Sequence, residues 1–154
     1  MAASIGQRDY VTVVSRRLAF VGGGTMGHPM AGHLARPGKA APTPREAATG
    51  GDVVFCCVGN DDDLRSVVLG TDLGNGVRTD DGAFAGMGEG AILVDHTTAS
   101  AAVARELHAL ARRHGLHFID APVSGGQAGA VNGALTVMCG GDADPFEAMK
   151  PMAM

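Results

Sequence analysis

The sequence Leu-Ala-Phe-Val-Gly-Gly-Gly-Thr-Met-Gly at residues 18–27 decides the fold. Its first four residues form an apolar run of strand length, and three consecutive glycines follow them. Between Thr25 and Arg36, the apolar residues Met26, Met30 and Leu34 recur every four positions, which is the spacing of one helix face. The stretch therefore predicts a strand, a glycine turn and a helix.

The glycines of this turn have the spacing GxGxxG, from Gly22 through Gly24 to Gly27. Between a strand and a helix, the first glycine permits the tight turn and the second lets the backbone approach a pyrophosphate. The third lets the helix pack on the strand. The helix start adds unpaired amides and a positive dipole end that favour phosphate. The motif indicates a dinucleotide site; a glycine-rich turn that binds nothing is the alternative.

The rest of the chain alternates between helix and strand patterns. The predicted elements are a short helix that opens at Thr43-Pro44 and ends near Gly50, a strand at 52–58, a helix at 62–69, a long loop at 70–90 with one helical turn near Phe84, a strand at 91–94, a helix at 100–114, strands at 116–119 and 134–139, and a helix from 144. This alternation implies right-handed crossovers and a mostly parallel, doubly wound α/β sheet. We predict one domain at 18–154 and an N-terminal extension at 1–17.

A further candidate site is the segment Asp-Ala-Pro-Val-Ser-Gly-Gly at residues 120–126, which follows the predicted strand at 116–119. Pro122 holds the preceding residue in an extended conformation, so the strand continues into a turn. That turn presents the Ser124 hydroxyl and two glycine amides at a strand end, where ligands bind in open α/β sheets. Ordinary turn chemistry explains the same residues equally well.

Composition limits the partners that the chain can have. The formal net charge is -4 and no run of Lys or Arg occurs, so neither nucleic acid nor a membrane surface is expected as a partner. No apolar stretch approaches the roughly 20 residues of a membrane span. Residues 1–17 lack the apolar centre of a secretory signal, and we expect a cytoplasmic protein. The three cysteines are expected to be buried, reduced thiols.

Two polar clusters allow other interpretations. The histidines are scattered, and His28 and His33 are not spaced to place two metal ligands on one helix face, so no metal is expected. Asp61-Asp62-Asp63 coincides with a predicted helix start, where negative charge is stabilising, and this explanation is preferred over a cation site. Asp95 and His96 are a poor acid–base pair, because adjacent strand residues point to opposite faces.

Three segments together resemble the β-hydroxyacid dehydrogenase family, the group of 3-hydroxyisobutyrate dehydrogenase and relatives of 6-phosphogluconate dehydrogenase. They are Phe-Val-Gly-Gly-Gly-Thr-Met-Gly-His-Pro-Met at 20–30, the segment at 120–126, and Gly-Ala-Leu-Thr-Val-Met-Cys-Gly-Gly at 133–141. The segment at 120–126 is similar to the family's substrate-binding signature. The resemblance implies a Rossmann-type domain that binds NAD or NADP, and hydride transfer between that cofactor and a small-molecule 3-hydroxy acid.

The resemblance also implies a set of site residues. Ser124, Gly125 and Gly126 would hold the carboxylate end of the substrate, and Thr98, within Val-Asp-His-Thr-Thr at 94–98, would face the nicotinamide. The other cofactor-binding residues would be Gly22, Gly23, Gly24, Thr25, Met26, Gly27, Val58, Gly59 and Asp63. Many relatives have proline where this chain has Gly59.

The chain departs from the family after the first helix. About 20 residues beyond the glycine turn, a dinucleotide fold has a second strand that ends in a residue for the ribose. Here that region reads Pro-Gly-Lys-Ala-Ala-Pro at 37–42, and no strand can be drawn there. The second strand, second helix and third strand are expected to be missing, which leaves the adenosine half open. Lys39 is expected to be a solvated loop residue.

Another departure concerns the catalytic lysine. Family members continue into an all-helical domain that supplies this lysine, whereas this sequence has only Lys39 and Lys150, neither at a matching position. General acid catalysis is worth about 10² to 10⁴ in rate. We therefore expect no catalytic residue, weak or no turnover by this truncated chain, and a homo-oligomer only with the helical domain. A non-catalytic nucleotide-binding or interaction module and a poorly folding gene fragment are the alternatives.

Overall fold

The computed structural model describes residues 16–34 and 40–153, which form nine short strands and seven helices. In chain order they are β1 (Leu18–Val21), α1 (Gly27–Leu34), α2 (Pro44–Ala48), β2 (Val53–Cys56), α3 (Asp61–Leu69), β3 (Asp72–Gly74), β4 (Val77–Arg78), α4 (Ala83–Gly86), β5 (Ile92–Asp95), α5 (Ala101–Arg113), β6 (His117–Asp120), β7 (Val123–Ser124), α6 (Gly126–Val131), β8 (Thr136–Val137), β9 (Gly140–Gly141) and α7 (Ala143–Ala153).

The main sheet has five strands in the order β1-β2-β5-β6-β9. The first four are parallel, and β9 pairs antiparallel with β6. All four residues of β2 and of β5 are buried, which explains why these strands have continuous apolar runs rather than alternating ones. This is the Rossmann-type, doubly wound α/β sheet that the sequence predicted.

Helices cover both faces of the sheet. On one face, Leu93 of β5 belongs to a buried cluster with Leu64 of α3 and Leu107 of α5. On the other face, Phe55 of β2 belongs to a cluster with Met149 of α7. A fully buried side chain of this size contributes about 1.5–3 kcal/mol relative to an exposed one. No helix within residues 16–34 or 40–153 has the length and apolar character to cross a bilayer.

The strand β1 lies at one edge of the sheet. Residues 22–34 and 40–52 contain no strand, so β1 pairs directly with β2, in the register Leu18 to Val53. The second strand, second helix and third strand of a complete dinucleotide-binding fold are therefore missing from the described residues, as predicted. The strand β2 of this chain occupies the place beside β1. The predictions for residues 1–15, for the end of the first helix near Arg36 and for Lys39 lie outside the described residues.

The loop predicted at 70–90 contains more regular structure than expected. The helical turn near Phe84 is confirmed as α4, but β3 and β4 form a hairpin that was not predicted. Its turn is Asn75-Gly76, and both residues have positive φ, 54° and 75°. Asn-Gly is the strongest short sequence signal for this kind of turn, so the hairpin was detectable in the sequence.

The region after β6 also differs from the prediction. The strand predicted at 134–139 is limited to Thr136–Val137, which pairs with β7, and the glycine-rich passage before it contains the helix α6. Because Cys139 follows β8 instead of lying within a buried strand, its side chain is exposed, and the prediction of a buried thiol is wrong for this residue. Cys56 is buried and Cys57 is partly buried, and both are free.

Candidate functional site

A groove of about 460 Å³ opens where β1 and β2 end. The glycine turn, the residues after β2 and one face of α3 form its lining: Gly22, Gly24, Thr25, Met26, Gly27, Cys57, Val58, Gly59, Asp63, Ser66 and Val67. The groove is at the carboxyl ends of the parallel strands, where open α/β sheets bind ligands. It brings together most of the predicted cofactor residues. Gly23 and Thr98 are not among its lining residues.

The three motif positions require glycine for different structural reasons. A Cβ atom on Gly22, whose φ is +108°, would overlap the carbonyl oxygen of Cys57, and one on Gly27 would overlap the carbonyl oxygen of Gly22. A Cβ atom on Gly27 would also lie 3.0 Å from the Phe20 ring on β1. The absence of a side chain at Gly27 therefore lets the helix pack closely on the strand, as predicted. A Cβ on Gly24 would meet no atom within 4 Å. Gly24 therefore leaves free space beside the backbone, as a site for a close ligand requires.

The start of α3 forms the opposite wall of the groove. Its N-cap is Asn60, whose side-chain oxygen accepts hydrogen bonds from the amides of Asp62 and Asp63, both at 2.9 Å. The Asp63 carboxylate accepts from the Asn60 side-chain amide at 2.9 Å. Asp61 accepts from the Ser100 amide at 2.8 Å and so ties the starts of α3 and α5 together. The aspartates thus stabilise a helix start, as predicted, and Asn60 is the cap.

Thr97, which the sequence reasoning did not select, connects the groove to the neighbouring strand. Its hydroxyl accepts a hydrogen bond of 3.1 Å from the amide of Val58, and its side chain is buried. Thr98, the predicted cofactor contact, is exposed beside it. The two threonines are adjacent in sequence and differ in burial. Thr97 has a structural role, and Thr98 is the candidate cofactor contact.

Asp95 is a buried carboxyl at the end of β5. One of its oxygens accepts from the Thr97 amide at 2.9 Å, and the other has no hydrogen-bond partner among the described residues. Burial is the main cause that raises the pKa of Asp95 to about 6; the nearby Asp120 carboxylate adds to this value, and the hydrogen bonds with Thr97 reduce it. Register places Cys56, Asp95 and Asp120 side by side on three strands. Burial also raises the pKa of the Cys56 thiol and of the Asp120 carboxyl.

His96 lies on the other face of the sheet from Asp95. Its ring stacks on Phe55 with a centroid distance of 5.7 Å, and its Nδ1 donates to the carbonyl oxygen of Ala121 at 2.8 Å. Burial lowers the pKa of His96, which favours the neutral ring. The structure therefore agrees with the expectation that Asp95 and His96 are no acid–base pair.

The segment from Ser124 to Gly126 forms a separate, exposed unit. Val123 and Ser124 pair with Val137 and Thr136 in a two-stranded sheet, and α6 begins at Gly126. Gly125 and Gly126 have φ values of +131° and +61°, which favour glycine. Neither these glycines nor Ser124 line the groove, so the structure does not bring the two predicted sites into one cavity.

A larger cavity of about 770 Å³ lies on the face of the sheet that carries α1 and α7. Most of its lining side chains are apolar, and its polar residues include His33, His96 and Lys150. Lys150 is 3.9 Å from the Glu147 carboxylate and lies over the Phe146 ring, and it is not one of the residues that line the groove. The smaller cavity is the candidate site because it lies at the strand ends beside the glycine turn. Residues 16–34 and 40–153 contain no group of three His, Cys, Asp or Glu side chains that could hold a metal ion.

Comparison with known proteins gives a consistent family. Residues 35–153 match the family described as the NAD-binding domain of 6-phosphogluconate dehydrogenase. An uncharacterized oxidoreductase of Shewanella frigidimarina is 51% identical over 158 residues, and the alignment covers 88% of this chain and 51% of that protein. An alignment of that length over only 88% of this chain includes positions that the chain lacks. The probable 3-hydroxyisobutyrate dehydrogenase-like 2, mitochondrial, of Arabidopsis thaliana is 36% identical, with 88% of this chain and 50% of that protein covered.

Among solved structures, the 3-hydroxyisobutyrate dehydrogenase of Mycobacterium tuberculosis with L-serine superimposes with a TM-score of 0.76 at 28% identity. The superposition covers 90% of this chain and 50% of that one. The chain thus spans about half the length of the curated relatives and solved structures that it matches.

Proposed function

Because the chain belongs to the family of NAD-binding domains of the 6-phosphogluconate dehydrogenase type, we propose that its groove binds NAD or NADP for an oxidoreductase that acts on a small 3-hydroxy acid. The observation that carries the proposal is the open space beside Gly24, at the start of α1 and within the groove. The first amides of a helix have no helical partner and favour a phosphate. The residues present therefore fit the pyrophosphate of a dinucleotide.

The proposed cofactor contacts fall into two groups. Gly22, Gly23, Gly24, Thr25, Met26 and Gly27 would surround the pyrophosphate, and Val58, Gly59 and Asp63 would line the cofactor on the side of α3. Gly59 faces the Asp63 carboxylate, which would lie 2.7 Å from a Cβ at that position. Thr98 would face the nicotinamide from the end of β5, and its exposure leaves it free to do so.

The proposed substrate contacts are Ser124, Gly125 and Gly126. A hydroxyl and two amides unobstructed by side chains suit a carboxylate, because each of them is a hydrogen-bond donor. When bound, the cofactor supplies hydride chemistry, while the chain supplies orientation of the two reactants. The substrate class is proposed from the family of relatives named as 3-hydroxyisobutyrate dehydrogenases and from the match at 120–126.

We also propose that this chain by itself turns over substrate weakly or not at all. No lysine lines the groove in the part of the chain that the structure describes, and Lys150 lines the other cavity. A proton donor at the reacting oxygen would be needed for efficient transfer. We propose a cytoplasmic location for this chain, although the Arabidopsis relative is named as mitochondrial.

The test is a titration of the chain with NADH and NADPH, followed by the fluorescence of the nicotinamide. The sequence contains no Trp, so protein emission interferes little. We expect saturable binding, and at least about tenfold weaker binding by Gly24→Ala, since a methyl group would occupy the phosphate's space. Gly32→Ala is the matched control, because it adds a methyl group at an exposed position of α1, the helix that follows the turn, with no atom within 4 Å of that group. Absence of binding by the wild type at millimolar concentration would refute the proposal.

A further inference from the structure

His33 reaches from the last turn of α1 to the end of α6. Its Nε2 atom lies 2.8 Å from the carbonyl oxygen of Ala130 and 3.1 Å from that of Val131. Both partners are acceptors only, so Nε2 carries the hydrogen and donates it to both oxygens. The residues that meet at this contact are 97 and 98 positions apart in sequence, so it is a tertiary link rather than a local one.

The two carbonyls lie at the end of α6, where the Ala130 oxygen also accepts from the backbone amide of Gly133 at 3.4 Å. The last carbonyls of a helix lack intrahelical donors, and a helix of six residues such as α6 has few internal hydrogen bonds to stabilise it. Gly133, which follows with φ +62°, lies against the same ring, since a Cβ there would be 3.3 Å from the imidazole. His33 therefore caps α6 and contacts the turn that leads from it to β8.

This cap provides side-chain hydrogen bonds between a peripheral unit that carries Ser124 and the rest of the protein, and Val137 of that unit also packs against the cluster of Phe55 and Met149. We define the unit as residues 123–137, which comprise β7, α6 and β8. Its two strands pair only with each other in the described sheets. In residues 16–34 and 40–153, the side-chain hydrogen bonds that join this unit to the remainder are those of His33.

The same helix therefore contacts the proposed cofactor groove at its start and the 123–137 unit at its end. Its first residue, Gly27, lines the groove, and its seventh, His33, holds the unit that carries Ser124. From this geometry, and resting on the proposed function, we propose that His33 is a positioning residue. It holds the 123–137 unit against α1, so that binding of a dinucleotide at the start of α1 stabilises the proposed carboxylate site.

The experiment is amide hydrogen exchange of the 123–137 unit in the full chain, with and without saturating NADPH. In the free protein, His33→Ala is expected to speed exchange of the α6 amides about fivefold, the factor that corresponds to a hydrogen bond of about 1 kcal/mol. NADPH is expected to slow this exchange in the wild type and to leave His33→Ala unchanged. His33→Gln places an amide donor near the same position and is expected to restore both effects, and Gly32→Ala, on the adjacent exposed position, is expected to behave as wild type.

Each outcome decides the proposal. Equal exchange in the free wild type and His33→Ala would show that His33 does not hold the unit. Slowing by NADPH in His33→Ala to the same extent as in the wild type would show that the effect does not pass through this side chain. If the titration shows that no dinucleotide binds, both the proposed function and the proposed effect of the dinucleotide on the 123–137 unit are refuted. The comparison of the free wild type with free His33→Ala still tests whether His33 holds the unit.

Discussion

The glycine turn at 22–27 and the glycine pair at 125–126 are similar in sequence but are built differently. At Gly22 and Gly27, neighbouring backbone from the segment after β2 and from the turn itself excludes any side chain. At Gly126 there is no atom within 4 Å, and only the positive φ favours glycine. The first turn is packed into the main sheet, whereas the glycine pair belongs to a peripheral unit. The proposed nucleotide-binding turn is therefore closely packed, whereas the proposed substrate-binding turn depends on a few local contacts.

The largest effect is expected where packing excludes a side chain. Gly22→Ala would force a methyl group onto the Cys57 carbonyl and an alanine into a φ of +108°, and we expect a loss of about 4 kcal/mol in the free energy of unfolding. Urea denaturation measures it. Gly24→Ala, which meets no atom within 4 Å, is the control and should unfold within about 1 kcal/mol of the wild type. A Gly22→Ala protein as stable as Gly24→Ala would contradict the comparison.

The next largest effect is a pH dependence at Asp95, whose strand lies between the two regions. Burial raises the pKa of this carboxyl from its ordinary value of 3.8 to about 6. Between these values the folded protein binds more protons than the unfolded chain. The contribution of Asp95 to stability is thus fully present below the unfolded pKa and is lost as pH rises to about 6. The loss is about 3 kcal/mol, at about 1.4 kcal/mol for each pH unit of the window.

The Asp95→Asn variant isolates this contribution. It keeps an oxygen for the Thr97 amide and removes the titration, so the wild type should lose about 2 kcal/mol relative to the variant between pH 4 and 6. Burial lowers the pKa of His96, so the contribution of His96 to stability rises with pH, opposite to that of Asp95. His96 is present in both proteins, so it does not distinguish them. Urea denaturation at pH 4, 5, 6 and 7 provides the measurement. Parallel stability curves for the two proteins would disprove the role assigned to Asp95.

A smaller effect is expected in the peripheral unit. Gly125→Ala would place a residue at φ +131° and its Cβ 3.2 Å from the Leu135 side chain, with an expected cost of about 2 kcal/mol. Gly126→Ala, which has a positive φ but open space around it, should cost about 1 kcal/mol. Thermal unfolding of the two variants compares them. A larger loss for Gly126→Ala would mean that packing against Leu135 is not what distinguishes the two positions.

The smallest stability effect is expected for Ser124→Ala. Ser124 is exposed and its side chain makes no hydrogen bond in the described structure, so the free energy of unfolding should change by less than about 0.5 kcal/mol. The affinity for 3-hydroxyisobutyrate in the presence of NADPH should fall about fivefold, through loss of one hydrogen bond. NMR titration measures this affinity. An unchanged affinity would remove Ser124 from the proposed carboxylate site.

The predictability of the chain follows the same division. The sequence predicted the four parallel strands, because buried parallel strands have continuous apolar runs; they are 18–21, 53–56, 92–95 and 117–120. The motif glycines were identified because their turn lies between a strand and a helix. The unit at 123–137 was predicted less well, since α6 consists of small residues without an apolar period. The roles of Thr97 and His33 depend on contacts across 39 and 97 residues, which no local pattern contains.

The position of β1 at the edge of the sheet has a consequence for the protein in concentrated solution. Its sequence, Leu-Ala-Phe-Val, is that of a central strand, and in the described chain its outer backbone groups have no strand beside them. Such an edge is a template for pairing between molecules and hence for aggregation. Arg16 and Arg17 immediately precede it, and charged residues that flank an apolar strand oppose this kind of self-association. The two arginines are thus expected to oppose pairing between molecules at this edge, and high salt, which screens their repulsion, to favour it.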